Sequence, residues 1–116
     1  MKAVQLEIVP LLCYCVKTME QILKQNQRLW DLFEVISLLR SRDETACFFR
    51  DLCTPGELEA MAERLEVARL LQEGLSYRRI SEVTGASTTT VTRIAHWCKH
   101  GEGGYKTMLQ RHDEIK

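Results

Sequence analysis

Apolar positions recur at helical spacing through most of the 116-residue chain, and no strand-length alternating run interrupts them. Leu29, Leu32, Phe33, Ile36 and Leu39 step along one helix face. Ser41, followed by the acidic pair Asp43 and Glu44, opens a second helix whose apolar side is Ala46, Phe49 and Cys53. Two helices over 26–53 are therefore predicted, carrying core or dimer-interface positions. The clearest helix start is Thr54-Pro55-Gly56-Glu57. There the Thr54 side chain can accept from the Glu57 amide, and Glu57 can accept from the Thr54 amide. Pro55 takes the first helical position, where a missing N–H costs nothing. Leu58, Met61, Leu65, Ala68 and Leu71 form the stripe of this helix, and Gly74 is expected to end it as a left-handed cap.

A short helix from Ser76 is predicted to turn Ile80 and Val83 inward. Thr84-Gly85-Ala86 then makes a turn, since glycine reaches positive φ without a Cβ clash. Ser87 caps a helix running to about Lys99, with Val91, Ile94, Ala95 and Cys98 on its buried side. This is the helix-turn-helix plan. Burying that stripe leaves Thr88, Thr89, Thr92, Arg93 and His96 outside. In such motifs the first residues of the second helix meet base edges in the major groove. A threonine hydroxyl can hydrogen-bond a base, and its methyl can touch a thymine methyl. Three successive β-branched residues form helix poorly. Their place beside the Ser87 cap argues for surface chemistry rather than capping and solvation alone. Arg78, Arg79 and Lys99 are further candidates for phosphate or base contact. Beyond the breaks at Gly101, Gly103 and Gly104, a last helix over 105–115 is predicted, with Tyr105, Met108, Leu109 and Ile115 on one side.

Charge sharpens this reading. The chain is formally neutral, but residues 43–73 are rich in acid, whereas 76–100 hold Arg78, Arg79, Arg93 and Lys99 against Glu82 alone. One basic segment in a neutral chain suits a local anionic partner, duplex DNA, better than general polyanion binding. The five cysteines are odd in number and lack disulfide-framework spacing, so reduced thiols and a cytoplasmic location are expected. Residues 1–25 read as an N-terminal extension of unknown role ahead of a domain at 26–116, with Met19 as an alternative start. The apolar run at 3–16 contains Gln5, Glu7 and Pro10. It is too short to span a bilayer and lacks a cleavage pattern, so no membrane partner is expected. A chain of this size leaves about 30–40% of its unfolded surface exposed, which favours a dimer.

Leu52 to Arg64 reads Leu-Cys-Thr-Pro-Gly-Glu-Leu-Glu-Ala-Met-Ala-Glu-Arg. Together with Gly74 to Arg93, which contains Gly85-Ala86-Ser87-Thr88-Thr89-Thr90-Val91-Thr92-Arg93, it resembles the Trp repressor superfamily and its YerC/YecD branch. The resemblance covers about residues 26–112. It implies an all-α, Trp-repressor-like helical bundle with a helix-turn-helix, assembled as an intertwined homodimer. Two reading heads would then sit roughly 34 Å apart, one DNA turn, over a near-palindromic site. It also places Arg78, Thr88, Thr89 and Thr92 at DNA-facing positions. In the Trp repressor, tryptophan lies between the long central helix and the reading helix. Arg64, Thr90 and Arg93 match residues of that site, but Ile94 and Trp97 fall where the family has small residues. Asp51 also replaces an apolar wall residue. A vestigial pocket filled by the protein's own side chains is expected, with no tryptophan corepressor. Trp97 is then either a plug that holds the reading head ready or an ordinary core or interface aromatic.

Other chemistry is not indicated. No nucleophile, base and orienter form a recognisable set, and neither phosphate-binding glycine motif is present. No cofactor and no enzyme activity are expected. His96 and His100, with Cys47, Cys53 and Cys98, lack the paired spacing of a structural zinc site, so no metal is expected. The reading is a sequence-specific, repressor-like DNA-binding homodimer. Its rival is a helical protein-interaction adaptor that binds no DNA.

Overall fold

The structure, a computed structural model, describes residue 21 and residues 24–116. The proposed extension over 1–25 lies almost wholly outside the described residues. Among the described residues no strand occurs. The helices are α1 Gln27–Ile36, α2 Arg42–Leu52, α3 Pro55–Gln72, α4 Tyr77–Thr84, α5 Thr88–His100 and α6 Gly104–Glu114. The chain divides within α2 into two compact units, one ending at Phe48 and the other starting at Phe49.

In the first unit, Ser41 caps α2 by accepting from the Glu44 amide at 3.1 Å. Helix α1 carries Leu29, Leu32, Phe33 and Ile36 of the expected stripe but ends before Leu39, and neither α1 nor α2 has a fully buried residue. Phe33 and Val35 are exposed, and Leu29, Leu32 and Ile36 are half-buried.

The second unit is built on α3. Its start is the predicted capping box: the Glu57 amide donates to Thr54 Oγ1 at 3.1 Å, and the Thr54 amide donates to Glu57 Oε1 at 2.8 Å. At its end Gly74 has φ +92°. The Gly74 amide donates to the Leu71 carbonyl and the Leu75 amide to the Leu70 carbonyl, a paired closure that consumes two orphan carbonyls. Helix α3 touches α4, α5 and α6, and α4 packs on α5. Val67, Ala68 and Leu70 of α3 meet Ile80, Ala86, Val91, Ile94 and Leu109 in the core.

Three expectations need correction. The α3 stripe was expected through Leu65, which is 47% exposed, while Val67 and Leu70 are buried instead. The other three helices cover the C-terminal half of α3, so the buried face there follows their positions rather than the simplest i, i+3, i+4 walk. Val83 was expected inward but is 52% exposed. An eight-residue helix has one inward line, and it passes through Ile80 and the Thr84 side chain, leaving Val83 beside the acidic half of α3. Ile115 was placed with Leu109, but it lies one residue past α6 and is 80% exposed; Met108 is exposed as well.

Candidate nucleic-acid interface

The interface is set by two serine caps and one turn. Ser76 Oγ accepts from the Arg79 amide at 3.1 Å and starts α4. Ser87 Oγ accepts from the Thr90 amide at 3.1 Å and starts α5. Between them Gly85 adopts φ +82°, the left-handed conformation that ends α4. Side chains of α4 then clamp the residue after the glycine. Ser81 Oγ donates to the Ala86 carbonyl at 2.6 Å, and the Ala86 amide donates to Thr84 Oγ1 at 3.1 Å. Both backbone polar groups of a buried residue are thereby satisfied, which fixes the angle at which α5 leaves the turn. Sequence reasoning placed Thr84 and Ala86 in the turn but missed Ser81 and both clamping bonds. The available signal was a hydroxyl residue on each side of the turn and a small residue after its glycine.

Val91, Ile94 and Ala95 are buried and Cys98 is half-buried, as the stripe predicts. Burial pushes the Cys98 thiol pKa upward. On the other side of the motif Arg78, Arg79, Ser87, Thr88, Thr89, Thr92, Arg93 and His96 are all exposed. Thr92 Oγ1 donates to the Thr88 carbonyl at 2.8 Å, so its hydroxyl proton is held along the helix. Ser87 and Thr90 hydroxyls meet at 3.0 Å. The outer surface therefore offers hydroxyls, methyl groups and cations from one helix tip, carried on a rigid apolar base.

The five positions matched to a ligand pocket are distributed differently. Arg64 and Arg93 are exposed, Thr90 is half-buried, and Ile94 is 2% exposed within the core. Trp97 is 53% exposed. It stands over an open hollow of about 410 Å³ that also touches Leu65, Cys98, Tyr105 and Met108. His96 meets the Trp97 ring edge-on at 5.3 Å and lies 4.8 Å from His100 between centroids. Among the described residues no group of three or more His, Cys, Asp or Glu is placed to hold a metal ion. None of the described helices is long and apolar enough to cross a membrane.

A glycine-hinged pair of capped helices on a third, longer helix, with a polar tip outward, defines a helix-turn-helix protein. Residues 27–113 match the sequence profile of the Trp repressor protein family. The chain is 41% identical to the uncharacterised protein YerC of Bacillus subtilis over 92 residues, covering 79% of this chain and 88% of that protein. It is 33% identical to a Trp operon repressor homolog of Chlamydia caviae over 89 residues, 75% of this chain and 88% of that one. A TrpR-like protein from Eubacterium eligens, known by crystal structure, superposes with a TM-score of 0.72 at 38% identity, covering 78% of this chain and 93% of the other. The chain belongs to the Trp repressor family, as a YerC-type protein. At the level of the family it is a DNA-binding regulator, in a family of regulators rather than enzymes.

Proposed function

We propose that this protein is a cytoplasmic, repressor-like homodimer that reads duplex DNA by inserting the N-terminal turn of α5 into the major groove. The observation that carries the reading is the division of α5 into two faces. Val91, Ile94 and Ala95 anchor it in the core, while Thr88, Thr89, Thr92 and Arg93 stand exposed at its start. Arg78 and Arg79, exposed on α4, supply phosphate or base contacts. Lys99 and His96 extend the polar face toward the C-terminal end of α5. The domain responsible is 26–116, in keeping with the family match over 27–113. Homodimerisation would cover the half-exposed apolar stripe of α1 and set two reading heads on successive turns of DNA.

Selection of bound sequences from a random duplex pool tests this directly. The expected result is an enriched near-palindrome with half-site centres about one helical turn apart. Arg78→Ala and Thr89→Ala should each weaken binding to that site by about 1–3 kcal/mol. Unchanged binding by both variants, or no enrichment at all, would remove the assignment.

The protein is proposed to work without free tryptophan. Support comes from Ile94, a bulky core residue where the family has a small one, and from the indole of Trp97 carried on the same helix. Calorimetric titration with L-tryptophan should show no saturable binding, and a micromolar dissociation constant would refute the proposal. Trp97→Gly should weaken DNA binding if the indole holds the reading head ready.

A further inference from the structure

Glu82 is the one carboxylate between residues 76 and 100, and it sits where it can face both arginines of α4. Its Oε2 lies 3.6 Å from Arg78 Nε, and its Oε1 lies 3.5 Å from Arg79 Nη1. Sequence spacing makes this sharing possible, because residues three and four apart lie on one helix face. Arg93 differs, since no carboxylate lies within ion-pair distance of it among the described residues. The helix-turn-helix thus carries two cation groups of different kind: a free one on α5 and a countered pair on α4.

We infer that Glu82 is a built-in counter-ion that competes with DNA phosphate for Arg78 and Arg79, and so lowers the affinity of the reading head for duplexes of any sequence. The inference rests on the DNA-binding reading above. A phosphate oxygen and a carboxylate oxygen seek the same guanidinium donors. Placing Arg78 or Arg79 on the backbone means either releasing Glu82 or bringing its negative charge up to the phosphate. Both routes cost affinity. Both pairs are solvent-exposed, with Arg78 at 90% and Glu82 at 53%, so each interaction is weak and readily exchanged. That suits a brake rather than a lock. It limits sequence-independent binding, which arises almost wholly from phosphate neutralisation, while leaving the threonine tip untouched.

The test is a set of double-mutant cycles on the full chain, read by fluorescence anisotropy with a mixed-sequence duplex at low salt. Glu82→Gln keeps the shape of the side chain, removes its charge and leaves one acceptor oxygen in place of two. It should bind the duplex roughly two- to tenfold more tightly than wild type, the range that two exposed ion pairs allow. The gain should shrink in the Arg78→Ala and Arg79→Ala backgrounds and persist in Arg93→Ala, because coupling is confined to groups in contact. A gain equal in all four backgrounds would show that Glu82 merely repels DNA through space and would overturn the inference. So would no gain at all. If wild type fails to bind any duplex, the DNA-binding reading itself falls. If wild type binds and only the couplings are absent, that reading stands and this one does not.

Discussion

The helices on either side of Thr54 are similarly patterned but differ in what they bury. Helix α1 has six apolar residues in ten, yet none of its side chains is fully buried. Helices α3 to α6 enclose Val67, Ile80 and Val91 completely. Periodicity alone does not distinguish the two regions, because both repeat apolar residues at helical spacing. The difference lies in partner surface: α3 is touched by three other helices of its own unit, whereas the apolar stripe of α1 closes no core of its own. The comparison teaches that the reading head is stabilised within one chain, and that the N-terminal helices carry the surface proposed for a second copy.

The largest expected effect is in the reading head. Ile80→Ala removes a fully buried side chain at the junction of α3, α4 and α5 and should cost about 2–5 kcal/mol in urea unfolding at fixed protein concentration. Val83→Ala, three residues on along the same helix, should cost less than about 0.5 kcal/mol, because its side chain stays largely in water. Equal losses would break the assignment of faces. In the N-terminal region Phe33→Ala should leave the fold of the second unit intact but weaken self-association by about 2 kcal/mol, roughly thirtyfold, in sedimentation equilibrium. A wild-type protein that is monomeric at high concentration would end the comparison in its present form.

A smaller loss is expected at the boundary between the two regions. Thr54→Ala removes one half of the capping box and should cost about 1 kcal/mol, with Thr54→Ser recovering most of it. The smallest effect is chemical. Cys47 is exposed in the first unit, and Cys98 is half-buried in the second. Burial raises the Cys98 pKa, so its reactive thiolate is scarcer at any pH below that value. Iodoacetamide at mildly alkaline pH should therefore label Cys47 before Cys98, and the lag of Cys98 should narrow as pH rises. Simultaneous labelling would show that the second unit opens as readily as the first.

Much of the candidate site was legible because its determinants are local. Ser76, Ser87 and Gly85 act within four residues of the backbone they cap or turn, so their chemistry can be read from neighbours alone. The inward line of Val91, Ile94, Ala95 and Cys98 follows from helical pitch once the start of α5 is known. Val83 failed this treatment. Whether the second apolar residue of a short helix is covered depends on where α3 passes, which no local spacing states. The Ser81–Ala86 bond was invisible for a related reason: it joins two residues across a turn whose path had first to be known.

What the amino-acid order settled by itself is therefore the set of helices, their caps and the polar face of α5, since these depend on pitch and short-range hydrogen bonding. What the tertiary structure alone decided is which apolar residues of α3 and α4 are covered, and where Trp97 and the Arg78–Glu82–Arg79 group stand relative to solvent. Burial is a property of surfaces brought together from distant parts of the chain. It is assigned only when the helices have found their neighbours.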